Sequence, residues 1–116
     1  AALWCVFGCG GNRDRGKRPL MGAAAVQGAD KVVVTSDNPR LENPQDIIND
    51  ILPAVSAPEC VEADRAAAIR YAVERAASSD IILIAGKGHE NYQDVQGVKH
   101  HFSDFEIAEK ALAGRG

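Results

Sequence analysis

No apolar run in this 116-residue sequence approaches the roughly 20 residues a membrane-spanning helix needs, so a membrane is not an expected partner. There is no excess of positive charge. Lysine and arginine number 13 against 16 aspartates and glutamates, a net charge of −3, and nothing in that balance calls for nucleic acid or an anionic surface. Three cysteines, Cys5, Cys9 and Cys60, form no CxxC pair and no Cys/His spacing suited to zinc. Free thiols in a reducing cytoplasm are the expected state. Internal repeats and low-complexity linkers are missing too. The length suffices for one domain with a hydrophobic core and is short for two. With 46% apolar and 25% charged residues, the chain is globular rather than disordered.

An initiator methionine is also lacking, and the chain enters an apolar segment almost at once, Leu3-Trp4-Cys5-Val6-Phe7. Neither the charged leading region nor the small-residue cleavage site of a signal peptide accompanies it. A sequence that opens inside a core strand is expected to be part of a longer protein, whose other domains would share any active site.

What is present is an alternation of strand and helix signals. Residues 3–7 read as a strand buried on both faces, followed by the turn Gly8-Cys9-Gly10-Gly11. Pro19 suits the first turn of a helix that puts Leu20, Met21, Ala24 and Ala25 on one face and ends at Gly28. Residues 31–35 form a second strand. Asn43-Pro44 supplies an N-cap and first helical residue, Ile47, Ile48, Ile51 and Leu52 a buried stripe, and Pro53 a stop. Residues 60–62 give a short strand, and Asp64 caps a helix carrying Ile69, Ala72, Val73 and Ala76 on one face. Residues 81–85 are the strongest strand signal and are expected to be the most buried strand. Residues 92–95 and 98–102, joined near Gln96-Gly97, suit a hairpin, and Ser103-Asp104-Phe105-Glu106 has the capping-box pattern. The expected fold is α/β, a three-layer Rossmann-like domain with a mostly parallel sheet and antiparallel pairing near the C-terminus.

Ligands in such folds collect beyond the C-terminal ends of the strands. Three polar loops leave those ends, at residues 10–18, 36–40 and 86–90. The first spells GxxxxGK from Gly11 to Lys17, but Arg18 stands where a P-loop needs a hydroxyl for magnesium. The dinucleotide pattern GxGxxG fails as well, because Arg13 replaces its third glycine. Four cations, Arg13, Arg15, Lys17 and Arg18, remain beside a helix N-terminus, an arrangement that favours an anion or is simply a solvated basic turn.

In the second loop, Asp37-Asn38-Pro39-Arg40, arginine offers a fork that suits a carboxylate, while aspartate and the asparagine carbonyl can accept from an ammonium. An Asx-type turn leading to the next helix accounts for the same residues. In the third, Gly86 and Gly88 allow close backbone approach, Glu90 can pair with an ammonium, and His89 is a base or a structural hydrogen-bonder. His100 and His101 fall on opposite faces of a strand, which is poor for joint metal binding, and no metal site is expected.

Together the three loops resemble the C-terminal domain of the Mur ligase family. The match is carried by GCGGNRDRGKRPLMG at residues 8–22, TSDNPR at 35–40 and AGKGHENYQ at 85–93, in the family's order and spacing over nearly the whole chain. Within the family, DNPR marks members that add meso-diaminopimelate rather than lysine. The resemblance implies a full-length, ATP-dependent, cytoplasmic ligase that joins meso-2,6-diaminopimelate to UDP-N-acetylmuramoyl-L-alanyl-D-glutamate in peptidoglycan synthesis. It implies substrate contacts at Arg13, Asp37, Asn38, Pro39, Arg40, Gly86 and Glu90, and a contact between Lys17 and ATP phosphate. Residues 1–116 would then be the C-terminal domain. ATP and Mg2+ would be bound mainly by a central domain, the UDP-sugar by an N-terminal one, both outside this sequence, and no catalytic residue is assigned within it. The chain departs from the family in carrying Asn12 where aspartate is common, and in lacking the Asp-Tyr-Ala-His type opening. A stand-alone α/β anion- or nucleotide-binding module is the alternative, and a purely structural domain a third.

Overall fold

Four short strands, Leu3–Phe7 (β1), Lys31–Val34 (β2), Cys60–Val61 (β3) and Ile81–Ile84 (β4), lie parallel in the order β3-β2-β1-β4. The computed structural model describes residues 1–87 and 90–115, so the readings placed on Gly88 and His89 lie outside the described residues. β1 is central because both of its edges are paired, to β2 through Cys5↔Val32 and to β4 through Cys5↔Leu83. Its alternate side chains therefore enter two cores. Cys5 and Phe7 join Val32, Val34, Ile47, Ile48, Ile51 and Val55 on one face. Trp4 and Val6 join Val33, Ala68, Ile69, Ala72, Val73 and Ala76 on the other.

Helices cover both faces, giving the three layers. Lys17–Gly28 (α1) and Pro44–Ile51 (α2) pack on the first, and Arg65–Arg75 (α3) and Asp104–Arg115 (α4) on the second. Asn43 caps α2 by accepting from the Gln45 N–H, and Asp64 caps α3 by accepting from the Ala67 N–H. Tyr92–Val95 (β5) and Val98–His101 (β6) form a separate antiparallel hairpin. Its turn residues Gln96 and Gly97 both have positive φ, 54° and 79°, the sign a two-residue primed turn requires.

Three local expectations are corrected. Leu20, Met21 and Ala24 are exposed, Ala25 of the expected stripe packs on the core, and the fully buried positions of α1 are Arg18 and Gly22, one turn apart. A buried arginine with carboxylate partners takes the place of the apolar stripe. β4 is an outer strand rather than the most buried one, with Ile81 65% and Leu83 53% exposed. Its aliphatic run would suit a central strand, but among the described residues only β1 pairs with it. At α4 the Ser103 hydroxyl does accept from the Glu106 N–H, yet the Glu106 carboxylate turns to His101 Nε2 at 2.7 Å instead of closing the capping box.

Candidate functional site

Parallel strands deliver the segments that follow β1, β2 and β4 to one edge of the sheet, and the first two are locked together by backbone. A Cβ on Gly11 would lie 1.8 Å from the Pro39 carbonyl oxygen, a distance only glycine avoids. Gly11 N–H donates to Asn38 O at 2.6 Å, and Arg40 Nη1 donates back to Gly11 O at 2.9 Å. Asn12 Oδ1 accepts from Leu41 N–H at 3.1 Å. Asn12 and Arg40 both sit at φ 53°, a conformation asparagine tolerates and arginine adopts only when held. What holds Arg40 is the hairpin: its N–H donates to Asp94 O and its carbonyl accepts from Gln96 N–H.

The cationic turn is not four free charges. Arg18 is 1% exposed and donates to Glu42 and Asp50, at 2.9 and 2.8 Å, and to the Gly10 carbonyl. Among the described residues its Nε has no partner. Exposed Arg15 grips the same Asp50 through two bonds of 3.0 and 3.1 Å. Hydrogen bonds from Arg15, then Arg18, hold the Asp50 carboxyl down at about 2. Arg18, then the Asn12 N–H, lowers that of Glu42. Two of the four cations, one buried and one exposed, are therefore struts to Asp50 rather than free charges. The other two, Arg13 and Lys17, line a cavity of about 350 Å³ with Cys9, Gly10 and Met21.

Nor is the Gly11-to-Lys17 segment a phosphate cradle. Such a cradle needs backbone N–H groups aimed at the anion. Here those of Gly11, Asn12 and Gly16 already donate to Asn38 O, the Glu42 carboxylate and Asp14 Oδ1.

The third segment joins the second through a buried cation. Lys87 is 3% exposed, and its Nζ donates to Asn38 Oδ1 at 3.0 Å and Tyr92 O at 2.9 Å. Asp37 Oδ1 lies 2.9 Å from the same Nζ, close enough for an ion pair but without hydrogen-bond alignment. Asn38 Oδ1 also accepts from Asp94 N–H, and Asn38 Nδ2 faces Glu90 Oε1 at 3.4 Å. Gly86, at φ 118°, brings its backbone against Asp37, where a Cβ would stand 3.4 Å from Oδ2.

Further support comes from side chains the sequence did not flag. Gln93 donates to Ser36 Oγ and Asp37 O. Arg65, 1% exposed, bonds Ser36 O, Ala85 O and both oxygens of Asp104, tying the ends of β2 and β4 to the start of α4.

The residues singled out from sequence thus fall into three groups. Arg40, Asn38 and Glu90 form one patch of contacts, Arg40 at the Asn38 backbone oxygen and Glu90 at its Nδ2, and the Arg13 and Arg40 side chains both lie within 4 Å of where a Cβ on Gly10 would stand. Asp37 and the Asn38 carbonyl oxygen, read as acceptors for an ammonium, are already engaged by Lys87. Pro39 is fully buried and acts through its backbone contact with Gly11, and Lys17 stands apart in the neighbouring cavity. The glycines flanking Lys87 were a usable signal for that residue. Arg65 and Gln93 carry none.

A larger cavity of about 570 Å³ between α3, β4 and α4 shares no residue with this patch. Among the described residues no three His, Cys, Asp or Glu side chains are grouped to hold a metal, and no helix is long and apolar enough to cross a membrane.

Comparison with known proteins agrees with the motifs. The Mur ligase, glutamate ligase domain family matches residues 1–88. The UDP-N-acetylmuramoyl-L-alanyl-D-glutamate–2,6-diaminopimelate ligase of Neisseria meningitidis serogroup A is 90% identical over 115 residues, covering 99% of this chain and 23% of that protein. Its counterpart in Chromobacterium violaceum is 60% identical over 98% of this chain. A solved structure of a ligase with the same name superposes with a TM-score of 0.91 at 50% identity, over 97% of this chain and 24% of that one. The chain spans less than a quarter of the length of these relatives.

Proposed function

This chain belongs to the Mur ligase family, and on that premise we propose that residues 1–116 are the amino-acid-binding C-terminal domain of an ATP-dependent, cytoplasmic ligase. The full-length protein adds meso-2,6-diaminopimelate to UDP-N-acetylmuramoyl-L-alanyl-D-glutamate. The observation that carries the proposal is the set of contacts around Asn38: Arg40 Nη1 bonds its backbone oxygen, Glu90 Oε1 faces its Nδ2 at 3.4 Å, and Arg13 lies beside Arg40 at Gly10, which puts cationic donors and one carboxylate around the same loop. A zwitterionic amino acid needs that pairing. Arg40 uses Nη1 on two backbone carbonyls, and among the described residues its Nε and Nη2 have no protein acceptor. That edge of the guanidinium suits the distal carboxylate that distinguishes diaminopimelate from lysine. Glu90 takes an ammonium, and Gly86 leaves room for the ligand beside the backbone.

In the proposed reaction the dipeptide carboxylate is phosphorylated by ATP, the amine of the held amino acid attacks the acyl phosphate, and phosphate leaves. This domain contributes by orienting that amine. Lys17 is the side chain available to a nucleotide phosphate. The residues here do not fit Mg2+, since Asp37, Glu42 and Asp50 are each taken by Lys87, Arg18 or Arg15. We assign metal and triphosphate to the central domain, and the UDP-sugar to the N-terminal one. Steady-state assays of the full-length protein test the proposal: it should consume diaminopimelate with a kcat/KM far above that for lysine, while the 116-residue chain alone should hydrolyse no ATP. Equal use of the two amino acids, or magnesium-dependent ATPase activity of the isolated chain, would refute it.

A further inference from the structure

Lys87 is not among the ligand contacts assigned above, yet it touches two residues of the loop that supplies them. We propose that Lys87 is a positioning residue that fixes the amide of Asn38 and thereby sets the charge polarity of the amino-acid clamp, an inference that rests on the ligase function proposed above. A side-chain amide has a donor end and an acceptor end of nearly equal shape, so its orientation is decided by its partners. Here the partners agree. Two donors, Lys87 Nζ at 3.0 Å and Asp94 N–H at 3.0 Å, face Oδ1, and one acceptor, Glu90 Oε1 at 3.4 Å, faces Nδ2. Turning the amide over would set its NH2 against an ammonium and an N–H, and its oxygen against a carboxylate.

Lys87 is held firmly enough to enforce this. Its Nζ is buried, paired with Asp37, bonded to Tyr92 O, and 5.9 Å from the ring centres of both Tyr92 and Phe102. The consequence reverses a sequence expectation. Asn38 is 2% exposed and its side-chain oxygen is consumed inside, so the hydrogen-bonding capacity it has left for a ligand entering beside Glu90 is N–H, which suits a carboxylate. The ammonium is left to Glu90.

The test uses the full-length ligase with Asn38→Ala, Asn38→Asp, Lys87→Met and the Lys87→Met/Asn38→Ala pair. Aspartate at position 38 keeps acceptors for Lys87 and the Asp94 N–H but sets its second oxygen against Glu90 Oε1, so Asn38→Asp and Asn38→Ala are compared in a Glu90→Gln background, where Asn38→Asp should melt near its Glu90→Gln parent. It also presents a negative oxygen to the ligand carboxylate, so kcat/KM for diaminopimelate should fall roughly tenfold or more below that of Asn38→Ala, since like charges facing each other repel strongly. Lys87→Met should raise KM for diaminopimelate roughly ten- to hundredfold, the scale of a lost charged hydrogen bond, with KM for ATP unchanged. In the Asn38→Ala background the same change should add little, because the two act as one unit.

Asn38→Asp matching or exceeding Asn38→Ala in the Glu90→Gln background would overturn the proposal, as would effects of Lys87→Met and Asn38→Ala that simply multiply. If Lys87→Met fails to fold, Lys87→Gln takes its place in the same double-mutant comparison. A wild-type enzyme that does not use diaminopimelate would instead remove the ligase function itself, a result read in a different arm.

Discussion

Replacing Arg40 by alanine separates ligand recognition from loop architecture, because the two halves of its guanidinium have different partners. Nη1 bonds Gly11 O at 2.9 Å and Asn38 O at 3.4 Å, and those bonds are made whichever amino acid is bound. Losing such bonds from a charged donor costs about 1.5–3 kcal/mol each, and the cost falls on every substrate alike. The Nε/Nη2 edge is assigned to the distal carboxylate, so its loss falls on diaminopimelate alone. Truncating one partner of a buried charge pair costs about 2–5 kcal/mol. Arg40 is only half-buried, so the lower part of that range applies, about 2–3 kcal/mol or roughly 30- to 150-fold in kcat/KM. Arg40→Lys should restore little, since an ammonium cannot make two parallel bonds to one carboxylate. The assay is the ratio of kcat/KM for diaminopimelate to that for lysine, in full-length wild type and both variants. That ratio should collapse by the stated factor. If both substrates lose equally, Arg40 is only a strut of the loop and the specificity reasoning is wrong.

Three further outcomes follow from the geometry. Glu90→Gln should raise KM for diaminopimelate and leave KM for ATP nearly unchanged, and the opposite pattern in steady-state kinetics would place Glu90 on the nucleotide side. Gly11→Ala cannot be accommodated by a side-chain movement, because its Cβ meets backbone at Pro39. It should displace the loop carrying Arg40 and depress diaminopimelate use and melting temperature together, with a stability loss of about 1–3 kcal/mol typical of overpacking. Acid should unfold the domain in a defined window. The Asp80 carboxyl, which accepts from the N–H groups of Ala2 and Ala77 and from Trp4 Nε1, is held at about 2 against an ordinary 3.8. A depressed carboxyl stabilises above its unfolded value and loses that contribution as pH falls through its folded one, so urea midpoints followed by Trp4 fluorescence should drop between about pH 4 and 2. Asp80→Asn should flatten that drop.

Most of the fold was legible because β1, α2 and α3 have strong local signals that agree with their burial: a five-residue apolar strand, a capped isoleucine stripe, and a capped Ile/Ala/Val stripe. Legibility failed where the deciding interaction was distant in sequence. Nothing around α1 announces that Arg18 turns inward, since its partners Glu42 and Asp50 lie 24 and 32 residues away. An aliphatic run such as 81–84 signals a strand, but neither its burial nor how many neighbours it has. The candidate residues Arg13, Asn38, Arg40 and Glu90 stand out in three loops at strand ends. Their division of labour does not, because it depends on Lys87 reaching back 49 residues to the Asn38 carbonyl oxygen.

The most direct measurement is a crystal structure of the full-length ligase with meso-diaminopimelate bound. One ligand carboxylate should lie within hydrogen-bond distance of the Nε/Nη2 edge of Arg40 and of Asn38 Nδ2, with an ammonium against Glu90. A carboxylate seated instead in the Lys17 cavity, or an ammonium on Asn38 Oδ1, would contradict the account.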